Sequence, residues 1–381
     1  MRNIYLDYAA AAPVDPAVLK AMRPYFSDKF YNPSATYLAA RAVRHDLAEI
    51  RHQVASTLGT RPVEIVFTAG ATEANNLAIQ GVMRRFPQNE VLVSAIEHES
   101  VLEPARLFKN REIPVTAQGI VDLAKLEKMI RPTTVLVSVM LVNNELGTVQ
   151  PLGDIARIIN RLRIERKAGG NKLPLYLHSD AAQAGNYLDL HTGRLGVDLM
   201  SLNGGKIYGP KQSGVLYVKA GTEVLPLIVG GGQEFGLRSG TENMAAAAGF
   251  AAALRAAQQK RATEAARVLE LRRYFERELT SKLPHTVTNG AKDRRAPHLV
   301  SVTLPGQDNE RLMMELDERG IQCAVGSACS ASRDEASHVL SAIGLSAANA
   351  RSTLRFSLGR FTTKPELTRT VKILAELTDN K

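Results

Sequence analysis

Six polar side chains fall just after short apolar runs of the kind that form buried strands. Thr72 follows EIVF, His98 follows VLVSA, Asn143 follows VLVSVM, Asp180 and Gln183 follow LYLHS, and Lys206 follows DLMSLNGG. In open α/β sheets ligands bind outside the carboxyl ends of the strands, so this pattern builds one polar site from many loops. Ala69-Gly70-Ala71-Thr72 is a small-residue turn into a helix, where backbone N–H groups and a Thr hydroxyl suit an anion. Alone it reads more readily as a plain helix cap. Lys206 lies in the Gly-rich turn Asn203-Gly204-Gly205-Lys206, where partial desolvation readies an amine for Schiff-base chemistry. Alone it reads as a surface lysine, and Asp180 alone as a turn residue. Together, an anion cup, a lysine, a carboxylate and a ring-sized histidine describe a pyridoxal phosphate site. There Asp180 would keep the pyridine nitrogen protonated, so that the ring serves as an electron sink. Nucleotide sites fit less well: Lys206 is followed by Ile207 rather than Ser or Thr, and Gly230-Gly231-Gly232 lacks the dinucleotide spacing.

The elements that must hold these groups alternate. Residues 64–67, 91–94, 135–140, 175–178, 197–201 and 214–218 read as strands, and residues 36–58 and those from 73 onward as helices. Asp15-Pro16 opens a further helix, because Asp caps it and Pro suits its first turn. Short apolar strands between helices predict an α/β fold with a mainly parallel sheet covered on both faces. A long helical pattern over residues 251–282 leads to a second unit, with a strand at 299–304 and helices at 309–319 and from about 364. The expected organisation is a large domain of residues 15–250 and a smaller α+β domain of residues 1–14 and 251–381.

Composition narrows the class. With 381 residues, 45% hydrophobic and 23% charged, the chain is globular rather than disordered. The net charge of +10 permits an acidic partner without demanding one. The two cysteines, Cys323 and Cys329, form no secreted disulfide framework and no metal-binding spacing, and they fit a reducing compartment. The apolar runs are strand-length, far short of the ~20 residues of a membrane span. No targeting segment is evident, so the expected location is cytoplasmic.

Ordered motifs sharpen the reading. They are Leu6-Asp7-Tyr8-Ala9-Ala10, Asn32-Pro33-Ser34, Phe67-Thr68-Ala69-Gly70-Ala71-Thr72-Glu73, Glu97-His98 and Val142-Asn143-Asn144-Glu145-Leu146-Gly147. Asp180-Ala181-Ala182-Gln183, Lys206-Ile207-Tyr208-Gly209-Pro210-Lys211, Arg238-Ser239-Gly240-Thr241, Gly326-Ser327-Ala328-Cys329 and Arg355-Phe356-Ser357-Leu358-Gly359-Arg360 follow. In this order, over nearly the whole chain, they resemble the class I (NifS/IscS-like) cysteine desulfurases. These are fold-type I pyridoxal phosphate enzymes of aspartate-aminotransferase-like fold.

The resemblance implies a role for each matched residue. Lys206 would carry the cofactor as an internal aldimine and shuttle protons, while His98 stacks on its ring and serves as acid or base. Asp180 would pair with the pyridinium nitrogen and Gln183 with the phenolic oxygen. Ala71 and Thr72 would hold the phosphate, with Asn203 still able to donate and Thr241 reaching in from the other subunit of a homodimer. Asn143 would lie beside the cofactor and substrate, and Arg355 would grip the substrate carboxylate. Cys329 would attack the sulfur of L-cysteine, leaving L-alanine and a persulfide. A thiolate is the one side-chain nucleophile soft enough for sulfane sulfur. Its surrounding run of Gly, Ala and Ser is expected to swing between the cofactor and a protein acceptor. That acceptor would be an iron–sulfur scaffold or a tRNA-thiolation enzyme, with no direct nucleic-acid contact. Cys323 has no motif role and is expected to be structural. The chain departs from the family at Asn203 and Gly205, where Ser and His are usual, and at Tyr37, often His. A weaker grip on the phosphate is therefore expected. The alternatives are a related class V aminotransferase, which needs no thiol, and a non-catalytic relative with weakened cofactor binding. The basic residues Arg157, Arg161, Arg163, Arg166, Lys167 and Lys172 read first as a solvated face and second as a dock for the acceptor.

Overall fold

The computed structural model describes residues 3–326 and 337–379. Twelve strands are numbered in chain order: β1 (Ile4–Tyr5), β2 (Ile65–Thr68), β3 (Glu90–Ser94), β4 (Asn110–Ile113), β5 (Thr134–Ser138), β6 (Tyr176–Asp180), β7 (Leu199–Asn203), β8 (Gly214–Val218), β9 (Val287–Thr288), β10 (Leu299–Thr303), β11 (Ile321–Gln322) and β12 (Thr353–Ser357). A seven-stranded sheet has the order β2-β8-β7-β6-β5-β3-β4. Its β4, β3, β5, β6 and β7 pair in parallel, and β8 runs antiparallel to both β7 and β2.

Side chains alternate across a strand, so a sheet buried on both faces sends neighbours to opposite cores. That is what Val91, Leu92 and Val93 do: Leu92 joins one cluster, and Val91 and Val93 the other. Helix Leu38–Leu58 covers the first face with Val43, Leu47, Ile50 and Val54. Helix Ala71–Arg85 covers the second with Ala74, Leu77, Ala78 and Val82.

The helix expected over 251–282 begins earlier and spans Met244–Lys282. Its first part, through Ala257, packs into the first core, and Val268, Leu271, Phe275 and Leu279 pack into another. This last core also holds Ile4 and Leu6, strands β10 and β12, and Leu367, Val371 and Leu374 of helix Lys364–Asp379. There β12-β10-β9 form an antiparallel sheet, and β1 pairs in parallel with β11.

The basic stretch is largely the exposed face expected, since Arg157, Arg161, Lys167 and Lys172 are exposed, but two of its arginines are half-buried and spent within the fold. Arg163 donates to the Leu175 carbonyl at 2.8 Å and pairs with Asp198. Arg166 donates to the Thr134 carbonyl at 2.8 Å, and Arg161 pairs with Glu127 at 2.6 Å.

Candidate active site

Because β8 is antiparallel to both of its neighbours, β2 runs the same way as β3, β5, β6 and β7. Their carboxyl ends share one edge, and a cavity of about 270 Å³ opens there. Ala71, Thr72, His98, Asp180, Gln183, Asn203, Lys206 and Arg355 all line it, with Asn144, Ser100 and the Ala9-Ala10 turn. A second cavity of about 500 Å³ shares Ala71, Thr72, Asn203 and Lys206 and reaches over Gly205, Lys211 and Gln212.

The anion end is set by backbone geometry. Helix Ala71–Arg85 starts at Ala71, ahead of the expected Glu73, because Gly70 caps it at φ 136, a conformation that L side chains rarely adopt. No side chain caps this terminus. Its first-turn N–H groups and the helix dipole are left to a ligand. Gly214 lets β8 close against this turn, since a β-carbon there would sit 2.6 Å from the Gly70 Cα.

Asp180 ends β6 almost fully buried. Its Oδ1 accepts from the Ala182 N–H at 2.8 Å, and its Oδ2 from Asn75 Nδ2 at 2.7 Å. Asn75 Nδ2 also donates to Ser100 Oγ at 2.8 Å, and Ser100 Oγ lies 2.8 Å from His98 Nδ1. Two residues before Asp180, His178 bridges Ser138 Oγ on β5 (2.8 Å) and Ser201 Oγ on β7 (3.0 Å). Burial pushes its pKa down to about 3, so it ties the three strands together as a neutral ring. Glu97, beside His98, takes the Met140 N–H at 2.6 Å. Burial first, and the negative charge of Asp180 second, push its carboxyl well above the usual range.

Lys206 closes the 3-10 turn Gly204–Lys206, and its Nζ donates to the Ala10 carbonyl at 2.5 Å. Asn203 Oδ1 accepts from the Gly205 N–H at 2.9 Å, so that oxygen is used to shape the lysine turn. Gln183 donates to the Ala9 carbonyl at 3.0 Å, and its Oε1 lies 3.4 Å from His298 Nε2. Arg355, on β12, donates to Asp7 at 2.8 Å and to the Asn144 carbonyl at 3.1 Å, while its buried Nε has no partner among the described residues.

Two expected residues, Asn143 and Thr241, do not line this cavity within the described residues of the chain. Asn143 is fully buried: it donates to the Ile96 carbonyl at 2.9 Å and accepts from the N–H groups of Glu145 and Leu146. It shapes the loop, and its neighbour Asn144 reaches the cavity. Thr241 is exposed ahead of helix Met244–Lys282. Cys329 lies outside the described residues. The sequence reading missed Asn75, Ser100, Glu97, Asn144 and Asp7. Of these, Glu97, Asn144 and Asp7 stood inside quoted motifs, whereas Asn75 and Ser100 carried no signal beyond helical spacing.

The donor set fits a phosphorylated pyridine aldehyde. An uncapped helix terminus suits the phosphate, a buried carboxylate suits a protonated ring nitrogen, and a lysine lines the same cavity. Among the described residues no cluster could hold a metal ion, and no helix is long and apolar enough to cross a membrane.

Residues 4–369 match the family described as "Aminotransferase class-V", whose members depend on pyridoxal phosphate. The chain is 37% identical to "Cysteine desulfurase IscS" of Dictyoglomus turgidum, covering 99% of this chain and 94% of that one. The chain belongs to the class-V aminotransferase family, in its cysteine desulfurase group. A solved "NifS-like protein" superposes with a TM-score of 0.90 at 30% identity, covering 99% of each chain. The structure titled "SspA in complex with cysteine" superposes with a TM-score of 0.80 at 35% identity, covering 94% of this chain and 100% of that one. Family membership thus joins the strand-edge geometry to pyridoxal phosphate chemistry.

Proposed function

We propose that this chain is a pyridoxal-phosphate-dependent cysteine desulfurase, which converts L-cysteine to L-alanine and takes the sulfur onto Cys329 as a persulfide. One observation carries the reading. Lys206, His98, Asp180 and an uncapped helix terminus meet in one cavity, in a chain whose relatives are cysteine desulfurases over nearly full length. The bound cofactor would supply an electron sink for bond breaking at the substrate Cα.

The chain's own groups do the rest. Lys206 would hold the cofactor and carry the substrate's α-proton. Asp180, fixed by Asn75 and the Ala182 N–H, offers a carboxylate to the ring nitrogen. Thr72 and the first-turn N–H groups would hold the phosphate, and Gln183 the phenolic oxygen. Arg355 is braced by Asp7 and the Asn144 carbonyl, and it presents its remaining N–H groups to the substrate carboxylate. At Cys329 an S–S bond forms as the substrate Cβ–S bond breaks. The electron pair of that bond stays on carbon, and a proton completes alanine.

Two features support Cys329 over Cys323. Burial first, and Asp7 second, push the Cys323 thiol up to about 12, which keeps it protonated and unreactive. The described residues flanking 327–336 are also anchored on the cavity-lining Arg355 and on Glu145 and Glu97, the chain neighbours of the cavity-lining Asn144 and His98. Ala324 pairs with Arg355, Ser337 donates to Glu145 at 2.6 Å, and His338 Nε2 lies 2.9 Å from the Glu97 carbonyl.

The proposal extends to a homodimer, in which Thr241 of a second copy reaches the phosphate. It includes a protein acceptor, an iron–sulfur scaffold or a tRNA-thiolation enzyme, in the cytoplasm. It also takes residues 15–250 as the cofactor domain, with 1–14 and 251–381 as the smaller one. Purified protein supplied with L-cysteine and a thiol reductant should be yellow and release sulfide and alanine in equal amounts. A yellow protein that releases neither would refute the desulfurase reading, and a colourless one the cofactor site.

A further inference from the structure

The hydrogen bonds that link Asp180 to His98 run in one direction only. The Asp180 carboxylate can only accept, so the Asn75 amide must turn its NH₂ toward it. Both Asn75 N–H groups are then spent, one on Asp180 Oδ2 at 2.7 Å and one on Ser100 Oγ at 2.8 Å. The reverse flip would set the Asn75 oxygen against the carboxylate. The bonding even leaves Asn75 Oδ1 buried without a partner among the described residues, the cost of satisfying Asp180. Ser100 Oγ, having accepted from Asn75, has its own proton left to donate, and His98 Nδ1 lies 2.8 Å away. The Ser100 backbone N–H independently donates to the same Nδ1 at 3.1 Å, where His98 caps helix Glu99–Arg106. A ring nitrogen that accepts from two donors carries no proton. In the neutral imidazole the proton therefore sits on Nε2.

We propose that Ser100 and Asn75 are positioning residues that hold His98 as the Nε2–H tautomer. His98 then acts as a fixed hydrogen-bond donor toward the bound ring and substrate, and is not a second base beside Lys206, to which the α-proton has already been given. Neutral His98 has no lone pair at Nε2 with which to accept a proton. Among the described residues lining the cavity, the other nitrogen base is Lys206, since a guanidinium such as that of Arg355 stays protonated. In the transfer the Cα–H bond breaks and an N–H bond forms at Lys206 Nζ. The electron pair of the broken bond stays on the substrate carbon. The kinetic half of this proposal rests on the desulfurase reading; the tautomer half does not.

The tautomer is read by ¹⁵N spectroscopy of histidine-labelled protein, with and without cofactor. The eight histidines are resolved by the signal that His98→Gln removes. The expected result is an unprotonated Nδ1 and a protonated Nε2 at His98. Ser100→Ala and Asn75→Leu should each raise a detectable population of the other tautomer, and Ser100→Thr, which keeps the hydroxyl, should not. A protonated Nδ1 in the parent protein would overturn the proposal, as would unchanged populations in both variants.

The kinetic readout is exchange of the substrate α-proton with deuterated solvent. Glutamine can donate a hydrogen bond but cannot act as a base. His98→Gln should therefore keep exchange within about tenfold, whereas loss of a true base costs on the order of 10²–10⁴. Lys206→Ala should lose exchange on that larger scale and regain part of it with an added primary amine. Loss in His98→Gln as deep as in Lys206→Ala would overturn the assignment of roles. A protein that exchanges the α-proton but never releases sulfide would sink the desulfurase reading and leave this one standing.

Discussion

Gly205 offers the most direct handle on how firmly the site holds its cofactor. It is a buried residue facing the larger cavity at the anion end, next to Lys206 and Lys211. Its φ is not in the left-handed region, so an L side chain is sterically admissible. A β-carbon built there meets Asn203 Oδ1 at 3.4 Å and Lys211 Cγ at 3.6 Å, both ordinary contacts. Gly205→His therefore places an imidazole beside the phosphate position without displacing backbone. A hydrogen bond to a charged group contributes about 1.5–3 kcal/mol. Ordering the new side chain offsets about 1 kcal/mol of this. The net, about 0.5–2 kcal/mol, corresponds to about 2- to 30-fold tighter cofactor binding. The assay is loss of cofactor absorbance during dialysis, together with the affinity measured on adding cofactor back. Unchanged or weaker retention would mean that Asn203, a water or the helix N–H groups already fill the position, and the reasoning would fail.

Three further outcomes follow from the same geometry. Borohydride reduction of the yellow protein, followed by peptide mapping, should place the cofactor on Lys206; a label on Lys211 with Lys206 unmodified would reassign the site. Cys323→Ser should keep most desulfurase turnover, because the thiol it removes is held protonated by burial; loss of turnover in a folded Cys323→Ser protein would give that thiol a chemical role. For Glu64, burial works against ionisation, but hydrogen bonds from Arg61, Thr60 and the Ala220 N–H prevail and lower its pKa from 4.5 to about 2. A depressed carboxylate contributes stability that is present above its unfolded value and lost as pH falls through the folded one. Glu64→Gln should accordingly flatten the loss of stability between about pH 4.5 and 2 in urea titrations, and an unaltered pH profile would contradict the pairing.

The sheet and the edge that bears the site were legible because burial on both faces writes itself as short apolar runs. Residues 214–218 were read as a strand and form β8 with the same bounds. What failed was local. The helix after β2 starts at Ala71 because a glycine at φ 136 caps it, and glycine gives no side-chain capping signal. Asn143 and Asn144 are adjacent and chemically identical, so only the loop decides which of them faces the cavity. Within the basic stretch, the internal bonds of Arg163 and Arg166 were illegible because their partners, Asp198 and the Thr134 carbonyl, are distant in sequence. Asn75 and Ser100 matter only through Asp180 and His98, whose proximity is a property of the fold.

The central claim is that sulfur leaves cysteine as a persulfide on Cys329. The decisive measurement is mass spectrometry of peptides from the cofactor-loaded protein after a brief pulse of L-cysteine, with thiols alkylated at once. The account predicts one added sulfur on the peptide containing Cys329, none on the peptide containing Cys323, and no sulfide release from Cys329→Ser protein that keeps its yellow cofactor. Added sulfur on Cys323, or normal cysteine turnover by Cys329→Ser, would contradict it.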